Sequence, residues 1–162
     1  MDEEGTKKEE NFFLLISLLR EGTLNYRWRA AEALGDEGDS RAVGPLIEAL
    51  SDPYEDVSWL AAKSLGKLQD PEAVLPLIEL LKSEEKWNRL GAVEGLGLIG
   101  DPRAVEPLIG ILKNDPVMKV RKKAAWALGR IGDPAARKGL SEMGDVEDEG
   151  LRKAIADALA GF

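Results

Sequence analysis

The stretch LGLIGDPRAVEPLIGIL, residues 96–112, recurs in altered form along most of the chain. Related phrases begin at Asp39 (DSRAVGPLIEAL), Asp70 (DPEAVLPLIELL), Asp101 and Asp133 (DPAARKGL), at spacings of 31, 31 and 32 residues. Repeats of this length are typical of helical hairpins that stack into a solenoid. The sequence therefore predicts an all-α protein in which each hairpin contacts only its neighbours.

The first helix of each repeat carries an apolar stripe. One copy shows spacings of three and four residues, the period of an amphipathic helix, at Val105, Leu108, Ile109 and Leu112. The repeated Asp precedes this helix, and in three copies Pro follows the Asp. Asp is favoured at a helix N-cap and Pro at the first helical position, so we interpret these residues as structural.

The second helix of each repeat follows another frame, seen in VSWLAAKSLG from Val57 and VRKKAAWALG from Val120. Its paired small residues predict that neighbouring second helices approach closely. A Gly recurs near the end of each copy, where we expect it to permit a left-handed exit from the helix. These glycines are Gly35, Gly66, Gly97 and Gly129.

Together these patterns predict one domain over residues 10–162, an α-solenoid of about five stacked antiparallel hairpins. The predicted hairpins cover about 10–35, 41–66, 72–97, 103–130 and 134–161. Residues 1–9 are mostly charged, and we expect this segment to be disordered.

The combined frame VRxxAAxALGxIGDPRAVxPLIxxL resembles the short HEAT-like repeats of phycobilisome lyase subunits. It is carried by VRKKAAWALG from Val120 and by IGDPRAVEPLIGIL from Ile99, and the resemblance covers about residues 12–161. It implies a HEAT-like or armadillo-type superhelix. Such repeats occur chiefly in scaffolds and adaptors, but one fold hosts many functions, so function must be argued from the surface.

The sequence contains no His and no Cys. It therefore lacks the usual general base, the thiolate nucleophile and the commonest transition-metal ligands. A deoxyhypusine hydroxylase, a HEAT-like enzyme that the frame superficially resembles, would need His-Glu pairs to hold iron. We therefore expect a protein that is not an enzyme, with no catalytic residues, no metal and no cofactor.

The overall charge disfavours two classes of partner. A net charge of −8 and a pI near 4.8 oppose broad adhesion to nucleic acid or anionic lipid, which needs a cationic surface. The longest apolar run, Phe12 to Ile16, is too short to span a bilayer. We expect a cytoplasmic protein, and 32% charged residues with a single Gln is a profile typical of thermophile proteins.

All four tryptophans of the sequence fall on one face of the second helices. At about 100° per residue, this face spans about 60° and points away from the core stripe. It carries Trp28, Trp59, Trp87 and Trp126, extended by Leu60 and Leu90 and interleaved with Arg29, Lys63, Lys122, Lys123 and Arg130. Second helices commonly line the concave side of a solenoid, so these residues predict a Trp-lined concave groove.

Trp and Arg are enriched at interface hot spots, which predicts a protein or peptide partner for this groove. The cations of this groove, which also include Lys67 and Lys119, outnumber its carboxylates, so the natural partner is acidic with apolar anchors. The carboxylates are Glu32, Asp36, Asp56 and Glu94. An alternative is that the Trp rings fill grooves between adjacent repeats, where Trp is usually mostly buried. Because Val, Ala and Leu already fill the core positions, we favour a partly exposed binding surface.

Two other functions stay open. The protein resembles lyase subunits, so it could be an accessory or lyase-type subunit that handles a tetrapyrrole-like ligand, on which aromatic rings would stack. It could also bind DNA through Lys122, Lys123 and Arg130, as HEAT-like DNA glycosylases do with a basic concave face. The acidic chain predicts only weak non-specific DNA binding, with a Kd of about 10⁻⁴ to 10⁻⁶ M.

Arg recurs at one position of the second helices. The residues are Arg27, Arg89, Arg121 and Arg152, with Ser58 interrupting the series. An Arg can bond a carboxylate or carbonyl of a neighbouring repeat, so we interpret this series as contacts between repeats.

The N-terminal helix is more apolar than a terminal helix should be. Phe13, Leu14 and Leu18 occupy positions that hold Gly44, Pro45 and Ala49 in the next repeat. No neighbouring repeat covers them, so we expect this end of the molecule to pair with its equivalent in a twofold homodimer.

Overall fold

The computed structural model describes residues 3–162, all of whose regular elements are helical. The α-helices are α1 (Glu3–Glu21), α2 (Leu24–Glu37), α3 (Val43–Ala49), α4 (Glu55–Leu68), α5 (Val74–Leu80), α6 (Lys86–Ile99), α7 (Val105–Asn114), α8 (Met118–Ile131), α9 (Pro134–Ser141) and α10 (Glu149–Leu159). Short 3₁₀ turns, Ser40–Ala42, Pro71–Ala73 and Pro102–Ala104, lead directly into α3, α5 and α7.

The helices form five hairpins that stack in chain order. The second helices α2, α4, α6, α8 and α10 pack side by side, and each also packs on the first helix of its own hairpin. Their apolar sides meet along the length of the array, where the fully buried residues include Leu34, Leu65, Leu96 and Leu128. The prediction of an all-α solenoid is confirmed.

The repeated Asp residues cap the start of each first helix from the second repeat onward. The carboxylates of Asp39, Asp70, Asp101 and Asp133 accept the backbone N–H two residues later, at 2.8–2.9 Å. Hydrogen bonds from the Arg41 and Arg103 side chains, then from their backbone N–H groups, hold the pKa values of Asp39 and Asp101 below their usual range. These Asp residues therefore serve the fold.

The recurring glycines of the second helices have a different role from the one predicted. Gly66 and Gly129 lie inside α4 and α8, where a Cβ would come within 2.7 Å of the Gly95 Cα and 2.9 Å of the Ala158 Cα. They permit close contact between adjacent second helices. The left-handed exits come three residues after the recurring glycines, at Gly38, Gln69, Gly100 and Gly132, with φ of 71°, 54°, 76° and 68°.

The N-terminal segment also departs from expectation. We expected residues 1–9 to be disordered, but α1 begins at Glu3; Met1 and Asp2 lie outside the described residues. Glu3 and Glu4 in its first turn complement the positive end of the helix dipole. Further along, Glu9 forms an ion pair with Arg41 at 2.8 Å, which ties this part of α1 to the second repeat.

None of the helices in residues 3–162 is both long enough and apolar enough to cross a lipid bilayer.

Candidate binding surface on the second helices

The four tryptophans lie one per helix on α2, α4, α6 and α8, and every one is partly exposed. Three of them, Trp28, Trp87 and Trp126, also pack against the hydrophobic core. Each ring therefore has a buried side and an accessible side. A shared, partly exposed aromatic face is the arrangement that helical periodicity predicts.

The rings lie across the boundaries between repeats. Trp59 and Trp87 contact each other with ring centroids 5.6 Å apart and planes inclined by 54°. A Cβ on Gly91 would come within 2.8 Å of Trp59 Cδ1, and one on Gly97 within 2.7 Å of Trp126 Cζ3. The alternative interpretation, that the Trp rings fill grooves between repeats, therefore applies to the buried side of these rings, while their other side stays accessible.

The Trp59 indole N–H is a buried donor with no hydrogen-bond partner in the described part of the chain. An unpaired buried donor of this kind costs about 1–3 kcal/mol.

Each Trp ring has a cation over it. The distances from the cationic group to the ring centroid are 5.3 Å for Arg29 on Trp28, 4.9 Å for Lys63 on Trp59, 5.5 and 4.8 Å for Lys86 and Lys119 on Trp87, and 4.8 and 5.6 Å for Lys123 and Arg130 on Trp126. Such contacts orient the long side chains over the rings. The sequence analysis counted Lys119 among the cations of the groove but omitted Lys86, which lies two residues before the first core position of its helix.

The N-terminal half of this face contains carboxylates. Glu32 and Asp56 line a cleft of about 410 Å³ together with Trp28, Trp59 and the predicted residue Leu60. Nearby, Lys63 approaches Glu94 at 3.9 Å and Lys67 pairs with Asp36 at 2.5 Å. We call this region, defined by Trp28, Glu32, Asp56 and Trp59, the acidic half.

The C-terminal half contains cations without such partners. Within residues 3–162, no carboxylate oxygen lies within 4.0 Å of the charged groups of Lys86, Lys119, Lys123 or Arg130. A further cleft of about 310 Å³ opens between α8 and α10. It is lined by Trp126, Arg130 and one carboxylate, Asp157, which pairs with Lys153 at 2.7 Å. We call the region defined by Trp87, Trp126, Lys86, Lys119, Lys123 and Arg130 the basic half.

Two predicted surface residues are less available than expected. Leu90 is only 5% exposed and belongs to the hydrophobic core. Its assignment to the surface was wrong. Lys122 pairs with Asp148 at 3.1 Å. Hydrogen bonds to the Asp148 carboxylate, first from the Leu151 backbone N–H and then from Lys122, hold the pKa of Asp148 below its usual range.

The Arg series of the second helices has two kinds of contact. Arg27 and Arg89 reach the following repeat, pairing with Asp52 at 2.6 Å and with Asp115 at 2.7 Å. Arg121 instead donates to the Leu112 carbonyl at 2.8 Å within its own hairpin, and Arg152 likewise donates to Val146. The interpretation as contacts between repeats therefore holds for two members and was wrong for the other two.

The three predicted self-association residues differ in solvent exposure. Phe13 and Leu14 are 58% and 55% exposed on α1. Leu18 is only partly exposed and also packs against the core, so it offers less apolar surface than Phe13 and Leu14.

The described residues hold no group of three or more Asp or Glu side chains arranged to bind a metal ion.

Comparison with known proteins gives the family. The model for HEAT repeats matches residues 13–89 and 74–160. This chain belongs to the HEAT-repeat family. The resemblance inferred from the sequence is thus confirmed, although a search of curated proteins found no match.

Solved HEAT-like and armadillo structures resemble the chain over most of its length. The complex of CpcE and CpcF of phycocyanin lyase from Nostoc sp. PCC7120 matches with a TM-score of 0.80 and 27% identity, over 93% of this chain and 64% of that one. This chain thus spans somewhat less than two thirds of that lyase chain.

Two other structures share the fold. A designed armadillo repeat protein in complex with the peptide (KR)4 gives a TM-score of 0.70 at 21% identity, covering 91% of this chain and 80% of that one. Human deoxyhypusine hydroxylase gives 0.51 at 17% identity, covering 93% and 83%. At such identities the similarity concerns the fold alone.

Proposed function

We propose that this protein is a non-enzymatic scaffold or adaptor that binds a protein partner along the Trp-bearing face of its second helices. The partner contributes an acidic segment with apolar anchors, which docks on the basic half. The observation that carries this proposal is the set of cations that stack on Trp87 and Trp126 and lack a carboxylate partner.

The charge distribution supports an acidic partner. The chain as a whole carries a net charge of −8, so four cations together on one half of one face oppose the general trend. Electrostatic complementarity mainly sets specificity and the rate of association. An acidic segment would supply carboxylate partners to these four cations, which have none within 4.0 Å in residues 3–162.

The aromatic rings support apolar anchors in that partner. The rings of Trp87 and Trp126 are already held in place by packing against the hydrophobic core. Binding at their accessible edges therefore costs little side-chain freedom. Trp and Arg, which meet here at Trp126 and Arg130, are enriched at interface hot spots.

The similarity to the CpcE–CpcF complex supports binding of a protein. That structure is a complex of two lyase proteins, and this chain is 27% identical to the matched one. Assembly with another polypeptide is therefore a reasonable function for a chain of this type.

The proposal is tested with a labelled synthetic peptide of alternating Glu and apolar residues that includes Phe and Leu, and with its counterpart in which Lys replaces Glu. Fluorescence anisotropy should show the acidic peptide binding about tenfold or more tightly than the basic one, because like charges oppose the latter. Equal affinities would contradict the proposed partner chemistry.

A pair of variants locates the site. Lys119→Glu/Lys123→Glu should lose the acidic peptide, whereas Lys82→Glu/Lys113→Glu changes the net charge equally at exposed sites outside the second helices and should retain it. If duplex DNA displaced the peptide at physiological salt, the DNA-binding alternative would replace the proposal.

The second candidate is a subunit that handles a tetrapyrrole-like ligand. The similarity to a phycocyanin lyase complex and the Trp59–Trp87 ring pair favour it. A linear tetrapyrrole added to the protein should then acquire induced circular dichroism, and this signal should fall in Trp87→Ala. No induced signal at saturating pigment would exclude this candidate.

A further inference from the structure

The outer side of α1 combines acidic and apolar residues in one stripe. At about 100° per residue, Glu3, Glu10, Ser17 and Glu21 fall within about 40° of one another. All four are exposed, and Phe13 and Leu14 flank them on either side. We call these six residues the α1 stripe.

Three other charged residues border this stripe; two of them are engaged in ion pairs, and the third, Lys7, is exposed. Glu9 pairs with Arg41 at 2.8 Å, and Arg20 pairs with Glu48 at 3.1 Å. The burial of Phe12 and Leu19 on the opposite side of α1 holds the stripe facing outward. Glu3, Glu10 and Glu21 outnumber Lys7, so carboxylates dominate the charge of this side.

We propose that the α1 stripe of one molecule docks on the basic half of a second copy of this chain. The inference rests on the proposed function, since it assigns an occupant to the same surface. Carboxylates of the stripe would meet Lys119 and Lys123, and Phe13 and Leu14 would contact the accessible edges of Trp87 and Trp126. The chain thus carries both the surface and a segment with the chemistry that the surface selects.

This arrangement differs from the twofold dimer expected from the sequence. Pairing two α1 helices about a twofold axis would bring carboxylates of one stripe against those of the other, and like charges in an interface are unfavourable. Docking α1 on the basic half pairs opposite charges instead. Such a contact joins two different surfaces, so it produces an open chain of molecules or a closed ring.

Sedimentation velocity of the full-length protein over a range of concentrations tests the inference. The wild type should show mass increasing with concentration, and added salt should reduce it because exposed charges are screened. A wild type that stays monomeric at high micromolar concentration would overturn the inference. It would leave the proposed function intact, since that function is tested by the synthetic peptide.

Two variants and their mixture establish which surfaces meet. Phe13→Ser/Leu14→Ser alters exposed side chains of the stripe, and Lys119→Glu/Lys123→Glu alters the basic half. Each variant alone should remain monomeric, with association weakened at least about tenfold. Mixed together, they should form 1:1 dimers that grow no further, because only one intact stripe and one intact basic half are present in each pair.

The twofold alternative gives the opposite pattern. Lys119→Glu/Lys123→Glu has an intact stripe, so it would still dimerise alone if two stripes met each other. That result would overturn the inference. Far-UV circular dichroism of both variants should match the wild type, because all the substituted side chains are at least partly exposed.

Discussion

The acidic and basic halves of the Trp face share one scaffold but differ in charge. Both place rings across a boundary between second helices, and both place cations over those rings. In the acidic half, Glu32 and Asp56 line the cleft beside Trp59. In the basic half, Lys119 and Lys123 have no carboxylate within 4.0 Å in the described chain. Core residues therefore set where the rings lie, and solvent-facing residues set what each half can bind.

The ion pairs that join adjacent repeats in the two halves also differ, in how deeply their side chains are buried. Arg89 and Asp115, whose side chains are 11% and 1% exposed, form the ion pair under the basic half. Arg27 and Asp52, at 21% and 7%, form its counterpart under the acidic half. Arg89 also donates to the Ser83 and Glu84 carbonyls. The basic half is thus built on the more buried and more extensively bonded junction.

The largest expected effect concerns these junctions. Arg89→Met should lower the free energy of unfolding by about 3 kcal/mol or more, because it leaves Asp115 buried without its partner. Arg27→Met should cost about 1.5 kcal/mol, since Asp52 keeps more access to water. Urea denaturation of both variants measures the difference. Equal losses would show that the two junctions do not differ as their burial indicates.

The next effect is on binding of the acidic peptide. Trp126→Ala should weaken binding by about 2 kcal/mol, the scale of an interface hot spot, whereas Trp28→Ala should change it by less than about 0.5 kcal/mol. Isothermal titration calorimetry gives both affinities, and thermal unfolding monitors the folded state of each variant. A larger loss for Trp28→Ala would place the binding site in the acidic half.

A smaller effect is expected when the acidic half is made basic. Glu32→Lys/Asp56→Lys replaces two exposed carboxylates with cations. It should tighten binding of the acidic peptide about threefold at low salt, because the added positive charge attracts the peptide as it approaches. The gain should disappear at high salt. Affinity that is unchanged at every salt concentration would show that this half lies too far from the bound segment to matter.

The smallest expected effect is optical. Acrylamide should quench the Trp fluorescence only in part, because each ring has one buried side and one accessible side. In single-Trp proteins that retain only one of the four, no position should be fully protected. A fully protected, blue-shifted Trp87 or Trp126 would remove an anchor from the basic half.

The sequence predicts much of this fold because the apolar core residues and the capping Asp recur from repeat to repeat. The spacing of the capping Asp residues locates the hairpins, and helical period places the four tryptophans together. It does not predict that Leu90 is buried, because the burial of a residue at the edge of a helical face depends on how the neighbouring helices pack. The partners of Arg27 and Arg89 had a signal that the sequence analysis did not use: Asp52 and Asp115 each precede a Pro in the turn before a second helix, and each accepts the backbone N–H two residues later.

The charge difference between the halves also required three-dimensional structure. From the sequence, Lys63, Lys67 and Lys123 all count as cations of one face. In the structure, Lys67 pairs with Asp36 while Lys123 lies over Trp126, 4.8 Å from the ring centroid. Which cations remain available for a partner depends on pairing between neighbouring helices, and a count of charges along the chain does not contain that information.

The most direct measurement uses the indole N–H signals of the four tryptophans in a ¹H–¹⁵N NMR spectrum during titration with the acidic peptide. We expect the signals of Trp87 and Trp126 to shift progressively to saturation and that of Trp28 to stay nearly unchanged. Alanine variants assign each signal. Saturable binding that leaves Trp87 and Trp126 unshifted, or that shifts Trp28 most, would contradict the claim that the basic half is the binding surface.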